Sequence, residues 1–399
     1  MPELATFAVR SAAALAVVSI ALLASAATAF AIPWDAPGIV PPSATPPAAS
    51  PDPNCDQSYA DDPPERGPKM EFGIGPRLAG EAGSGQTTPT IPEDAAARDA
   101  ALLRLRGDRL LKVRLNRLFM ADGDEGIHKF TRMARHYSRL GLDVEIQVRY
   151  HPAPEQDGDI GAWLNYVRRV VRAFGPIRHV VGLQITNEVN IAFSPNTSDG
   201  AYENAVEALT RGVPAAKHEA RRLGYDRLQT GFNYAWRFGD GDAAFWREVG
   251  ERGGERLRRA TDWVGVDAYP GTFVPTAIVN PGDAMLEAIA QVRECFMPMA
   301  GFGRRTPIHL EEFGYPTGPG RTEAAQTAAL RGFVRQINRH RGTYGVTNVN
   351  WFGLRDNNSG GPNFQSYFGL LHDDYSPKPA FAVYRKLIRD HGRSRHPSR

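Results

Sequence analysis

The chain has 399 residues, 42% hydrophobic and 10% aromatic, enough to bury a large core as one big domain or two ordinary ones and unlike a disordered chain. Its formal net charge is only +3 and its arginines are spread out, so nucleic acid is excluded as a partner class: no basic stripe interleaves with aromatics, and the basic tail 391–399 reads as solvated. Residues 1–31 have the layout of a secretory signal peptide. An apolar run over 11–27 leads into the small-residue stretch ASAATAFA, with cleavage expected near Ala29 or Ala31. Secretion to the extracellular space follows, with no stable membrane insertion once the signal is removed. The competing reading is an uncleaved anchor, because the run is nearly long enough to span a bilayer.

From Ile32 to about Gln86 the composition shifts to Pro, Ala, Ser, Gly and Asp, as in APGIVPPSATPPAASPDP. Such a stretch buries too little apolar surface to order itself, and its first part, 32–69, is assigned as a Pro-rich linker or arm lying on the domain. It carries Cys55, one of two cysteines; the other is Cys295. In an exported protein the two could pair, or both could remain thiols. Neither has a C-x-x-C or His neighbour at ligand spacing, so no metal is expected there.

After the arm, short apolar segments alternate with longer amphipathic ones. MEFGIG at 70–75 precedes a helix over about 92–106, and LLKVRLNRLF at 110–119 reads as a strand. Ile127, Phe130, Met133, Ala134, Tyr137 and Leu140 then form a helical stripe that Gly141 stops. DVEIQVRY is the next strand, followed by the stripe Ile160, Trp163, Leu164, Val167, Val170, Val171 and Phe174, and by HVVGLQIT. RLQTGFNY, DWVGVDAY, TPIHLEEF and GVTNVNWF are four more strands, separated by helices near 199–223, 242–253, 282–297 and 322–340. KPAFAVYRKLI closes the chain. Eight strands alternating with eight helices over 70–390 argue for a (β/α)8 TIM barrel rather than a doubly wound sheet. The open sheet also lacks its glycine fingerprint, because Leu78 stands where GIGPRLAG would need the third glycine. The acidic loop ADGDEG at 121–126 lacks the spacing of a calcium loop and reads as solvated.

Active sites of such barrels are built at the C-terminal ends of the strands. Those ends carry Arg114 and Asn116, Arg149 and His151, Asn187 and Glu188, Asn233 and Trp236, Asp267 and Tyr269, Glu311 and Glu312, and Trp351. Two carboxylates at one site push their pKa values apart, so one serves as an acid while the other stays ionised, which is what cleaving a glycosidic bond requires. Aromatic faces add a stacking surface for sugar rings. Each dipeptide alone has an ordinary alternative, a capping or arginine-paired carboxylate; their co-occurrence on the fourth and seventh strands carries the reading. No G-x-S-x-G, H-E-x-x-H or P-loop pattern supports another chemistry.

ITNEVN on strand four and IHLEEFGYPTG on strand seven resemble the signatures of the clan of retaining (β/α)8 glycoside hydrolases, which includes cellulase-like enzymes and endo-1,3-β-glucanases. The resemblance implies Glu188 as acid/base, Glu312 as nucleophile and Asn187 as the holder of the substrate 2-hydroxyl. It further implies Arg114 and Tyr269 as hydrogen-bond donors to the nucleophile, and Trp351 as the floor of the subsite at the scissile bond. His151 and Trp236 are candidate subsite residues, although a barrel-end tryptophan also serves as core. Asp267 departs from the clan by standing where a His is usual, and Glu311 where Thr, Ser or Gly is usual. Successive strand residues point to opposite faces, so one of Glu311 and Glu312 is expected to face the mouth; the motif register selects Glu312, with Glu311 supporting it.

The implied function is a secreted, monomeric glycoside hydrolase that cleaves β-glycosidic bonds of an oligosaccharide or polymer by double displacement, with no cofactor and no metal. The departures at Asp267 and Glu311 motivate a rival, a non-catalytic carbohydrate-binding barrel. A transglycosylase on the same scaffold is a further alternative.

Overall fold

The computed structural model describes residues 62–76, 90–236, 241–274 and 280–395. The expected signal peptide over 1–31, the expected arm up to residue 61 and Cys55 lie outside the described residues. The first half of the fold runs β1 (Glu71–Ile74), α1 (Ala95–Arg106), β2 (Leu111–Phe119), α2 (Gly123–Arg139), β3 (Asp143–Arg149), α3 (Ile160–Phe174), β4 (Val180–Ile185) and α4 (Ala205–Arg222). The second half continues β5 (Gln229–Ala235), α5 (Asp242–Ala260), β6 (Trp263–Ala268), α6 (Pro281–Gln291), the short α7 (Met297–Met299), β7 (Ile308–Phe313), α8 (Glu323–Tyr344), β8 (Val346–Trp351) and α9 (Pro379–His391).

The strands close into one barrel in chain order, with β1 paired in parallel to both β2 and β8. Helical crossovers return the chain to the same end before each new strand, which is what makes every pair parallel. Val113, Leu115, Ile146, Val148, Leu183, Ile185, Val264, Val266 and Leu310 alternate with polar residues along their strands and are fully buried in the shell beneath the helices.

The polar alternates fill the lumen. Arg114 on β2 bonds Glu312 on β7 and Gln184 on β4, a reach possible only across the barrel. Below them Lys112 Nζ donates to Glu145 Oε2 at 2.5 Å, and burial followed by the charge of Glu311 pushes Glu145 up to about 7. Gly182 makes room for this layer: a Cβ there would stand 3.2 Å from Glu145 Oε2.

Helix boundaries differ from expectation where a local break is tolerated. Gly254 adopts φ 52° inside α5, and the helix resumes beyond it to Ala260 rather than stopping near 253. The stretch 121–126, expected as a solvated loop, is a 3-10 turn running into α2, whose first turn carries Asp124 and Glu125 where the helix dipole favours acids. Beyond α6 a π turn at Val292–Phe296 carries the buried Cys295. The tail is also a correction. Arg393 N donates to Met70 O at 2.9 Å and Leu110 N to Arg393 O at 3.0 Å, so residues 392–394 are tied to the chain entering β1 and β2 instead of being wholly solvated. Residues 62–68 lie on the end of α8, where Arg341 Nε donates to Pro68 O at 2.7 Å and Gly342 N to Glu65 O at 2.8 Å.

Candidate active site

Strand β4 ends in a strained triplet. Thr186 (φ 66°) and Glu188 (φ 48°) are both left-handed without being glycine, a conformation costing roughly 1–3 kcal/mol each that persists where the surroundings over-determine it. The surroundings here are three bonds from three elements. Thr186 N donates to Val148 O at 2.8 Å, Asn187 N to Asp199 Oδ2 at 2.9 Å and Glu188 N to Asn233 Oδ1 at 2.9 Å. Asp199, fully buried in the loop after β4, also accepts from Arg149 Nε at 2.6 Å and from Tyr150 N at 2.8 Å. Asn187 Oδ1 receives Gln147 Nε2 at 2.7 Å, Asn233 Nδ2 at 2.8 Å and Gln184 Nε2 at 3.1 Å. That fixes its amide so that Nδ2 points to Thr197 O (2.8 Å) and to Glu188 Oε2 (3.4 Å).

Strand β7 breaks the alternation expected of it. Its register against β6 steps from Val266↔Leu310 to Asp267↔Glu312, leaving Glu311 as the extra residue of a β-bulge. Both glutamates therefore face the lumen, which corrects the expectation that one of them must turn away. Glu311 takes the lower position. It accepts from Asn350 Nδ2 at 2.7 Å, contacts His309 Nδ1 at 3.0 Å and pairs with Arg114 Nε at 3.3 Å. Glu312 takes the upper one, with Arg114 Nη1 on Oε1 at 2.5 Å, Tyr269 OH on Oε2 at 2.9 Å and Asn116 Nδ2 on Oε1 at 3.5 Å.

Glu188, Asp267 and Glu312 each bring a carboxylate oxygen within 4.8 Å of the other two. Burial, then the negative charge of Glu312, pushes Glu188 up to about 8. Burial followed by Glu312 and Glu188 raises Asp267 well above the carboxylate range, and burial followed by Glu312 raises the Tyr269 phenol, so Tyr269 remains a donor. Arg114 is held fully charged: burial opposes its charge, but Glu312 and Glu311 outweigh that. A second compact group, Glu145, His309 and Glu311, lies deeper. In each group one carboxylate is already engaged by a cation of the chain, Glu312 by Arg114 above and Glu145 by Lys112 below. The upper arrangement can hold one carboxylate ionised and another protonated a few ångströms away, the requirement for acid-assisted displacement at carbon.

Two of the expected site residues are not part of this arrangement. Trp351 is fully buried, edge-on to Phe313 (5.4 Å) and near Tyr384 of α9 (6.4 Å), with Nε1 donating to Phe368 O at 3.1 Å. The inward positions of β8 are Asn348 and Asn350, so Trp351 falls on the helix-facing side and floors no subsite. Trp236 is fully buried as well and donates to Gln291 Oε1 at 2.7 Å on α6, which makes it core. His151 does stand at the rim, its ring tilted against Phe119 (4.3 Å) and bonded to Tyr202 OH at 2.6 Å; burial, then Arg149, lowers it to about 4, so it is neutral. The aromatic group beside Glu312 is instead Tyr269, Phe352 and Phe368, with Phe273 against them. The sequence reading missed Phe352, Gln147, Gln184 and Asp199. The two glutamines were legible as inward alternates of their strands, whereas a loop aspartate such as Asp199 carries no sequence signal.

No family profile and no curated protein matches the chain. Among solved structures it is similar to a GH5_18 protein from Bifidobacterium longum subsp. longum in complex with Manb1-4GlcNAc, at 16% identity and TM-score 0.57, covering 82% of this chain and 80% of that one. A GH5_18 protein from Streptomyces cattleya in complex with GlcNAc matches at 16% identity and TM-score 0.54, over 81% of this chain and 80% of that one. A β-glucosidase from Thermotoga maritima in complex with noeuromycin matches at 13% identity and TM-score 0.54, over 82% and 98%. What these likenesses establish is that the chain has the (β/α)8 fold on which those glycosidases are built.

Proposed function

We propose that the protein is a retaining glycoside hydrolase acting on β-glycosides. The observation that carries the reading is the approach of Glu188 and Glu312 oxygens to within 4.8 Å across the barrel mouth, with Glu312 charge-paired and Glu188 raised to about 8. Carboxyl groups of retaining glycosidases stand about 5–5.5 Å apart, whereas inverting ones need about 6.5–9.5 Å to admit a water. In the first step a Glu312 oxygen forms a bond to the anomeric carbon while the bond to the leaving oxygen breaks and takes the Glu188 proton. In the second, Glu188 removes a proton from water, whose oxygen displaces Glu312. Arg114 and Tyr269 hold Glu312 aligned, and Tyr269 and Phe352 offer the sugar apolar faces.

The reading includes export of the protein, supported by the apolar run at 11–27 followed by ASAATAFA, and action outside the cell as a monomer. The Manb1-4GlcNAc ligand of one structural neighbour and the β-glucosidase name of another make β-mannosides and β-glucosides the first substrates to try. The test is hydrolysis of aryl β-mannosides, β-glucosides and Manb1-4GlcNAc by wild type and Glu312→Gln, with product anomers followed by NMR. Turnover with retention by the wild type alone supports the proposal. Inversion overturns the mechanism, acceptor-dependent lengthening points to a transglycosylase, and sugar binding without turnover by either protein makes the chain a carbohydrate-binding barrel.

A further inference from the structure

Asp267 is the carboxyl of the cluster that the double displacement does not use, and its surroundings are unusual. It is 1% exposed, and its register partner across β6 and β7 is Glu312 itself. Oδ2 accepts from Asn233 Nδ2 at 2.5 Å, but Oδ1 is buried with no hydrogen-bond donor among the described residues. An orphaned buried acceptor is costly, whereas the same oxygen carrying a proton becomes a donor in need of an acceptor. Two acceptors are near, the carboxyls of Glu188 and Glu312. Glu312 is already occupied, by Arg114 and Asn116 on one oxygen and Tyr269 on the other. Among the described residues Glu188 receives a side-chain hydrogen bond from Asn187, at a long 3.4 Å.

We propose that Asp267 is a positioning residue for Glu188, standing as a neutral carboxylic acid whose Oδ1–H is donated to the Glu188 carboxyl. The charges around it agree. Arg114 faces it from β2 and is committed to Glu312 and Glu311, and Arg149 on β3 is committed to Asp199. β4 contributes Glu188, β5 the uncharged Asn233, β6 itself the phenol of Tyr269, and β7 the two glutamates. Among the described residues no cation forms an ion pair with Asp267, and burial followed by the charges of Glu312 and Glu188 raises its pKa well above the ordinary range. The proton stays on Asp267 throughout the reaction. Its bond strengthens as Glu188 becomes a carboxylate on giving its own proton to the leaving group, so the assistance is greatest where charge develops.

The inference rests on the proposed glycosidase reading, and two measurements keep the two separable. In pH profiles of kcat/KM on a substrate with a poor leaving group, Asp267→Leu should lose about tenfold to a hundredfold and move the alkaline limb up by about one pH unit, because Glu188 loses a donor to its charged form. Asp267→Asn, whose amide N–H still donates, should restore most of the rate and leave the limb close to the wild-type position. A limb that instead falls by a unit or more in Asp267→Asn would mean that the wild-type side chain is an anion, and overturns the proposal. The second measurement needs no substrate: infrared difference spectra of wild type against Asp267→Asn, with isotope-labelled aspartate, should show a protonated carboxyl band at neutral pH that the variant lacks. Absence of that band overturns the assignment even if every glycoside is hydrolysed, and its presence stands even if none is. Circular dichroism checks the fold of each variant, and failure of Asp267→Leu to fold leaves the other two arms decisive.

Discussion

Arg114 Nη1 donates to Glu312 Oε1 at 2.5 Å while Nη2 of the same guanidinium donates to Gln184 Oε1 at 2.5 Å, so one planar fork ties β7 to β4 across the lumen. Its Nε also pairs with Glu311 at 3.3 Å. Arg114 thus sets the position of the proposed nucleophile and shares with Lys112 the charge balance of the acidic layer beneath it.

Arg114→Lys should therefore be far from conservative. An ammonium keeps the charge but cannot reach Glu312, Gln184 and Glu311 together in one plane. We expect kcat/KM to fall about a hundredfold, in line with losing a positioned group at the reacting centre, while the protein stays folded. Arg114→Leu should in addition lose about 3–5 kcal/mol of stability, because it leaves buried carboxylates without their cation. Equal kinetics for wild type and Arg114→Lys would show that charge alone is needed.

Asp199 supports the opposite wall. It accepts from Arg149 Nε, Tyr150 N and Asn187 N, and so holds the left-handed turn that presents Glu188. Asp199→Ala should lose about 3–5 kcal/mol in chemical denaturation by stranding buried Arg149, and the folded fraction should lose kcat more than KM as Glu188 drifts. A variant with wild-type stability would show that Arg149 finds another partner.

How much of this was legible in the sequence depends on which physical rule each residue obeys. Strand and helix periods follow from burial on alternate or threefold-spaced positions, and so the alternation from β1 to α9 gave the closed barrel directly. Arg114, Glu188, Tyr269 and Glu312 sit at strand ends, where fold class alone places side chains at the mouth. Glu311 and Trp351 show where that rule stops. A bulge in β7 turns Glu311 inward, and nothing in HLEEF announces the extra residue. Trp351 was placed by resemblance, but alternation with Asn348 and Asn350 sends it to the helix layer. Asp199 could not be found at all, because its role arises from a loop returning to the strand ends.

Trp351 and Phe352 allow a direct comparison of the two sides of β8. Trp351→Ala removes a fully buried indole from contact with Phe313 and Tyr384 and should cost about 3–5 kcal/mol in stability, with KM of the folded enzyme little altered. Phe352, edge-on to Tyr269 at 5.8 Å, faces the site instead. Phe352→Ala should raise KM severalfold to tenfold by removing a stacking face for the sugar. The reverse pattern, KM responding to Trp351 and not to Phe352, would return the tryptophan to the subsite.

The pH dependence follows from Glu188, pushed up to about 8 by burial and then by the charge of Glu312. Its proton is needed in the first step, so kcat/KM on substrates with poor leaving groups should fall as pH rises through about 8, and substrates with activated leaving groups should not show that limb. Stability carries the same sign. The unfolded chain releases this proton near the ordinary value of 4.5 while the folded protein keeps it to about 8, so the folded state binds more protons throughout that interval and unfolding becomes easier as pH rises across it. The contribution is complete below about 4.5 and gone above about 8, and it belongs jointly to the interacting carboxyls of Glu188, Asp267 and Glu312. Glu188→Gln keeps the shape without the charge. Its melting temperature, followed from pH 5 to 9, should fall less steeply than that of the wild type between about 4.5 and 8. Parallel curves for the two proteins over that interval would place the raised carboxyl elsewhere in the cluster and remove Glu188 from the role of acid.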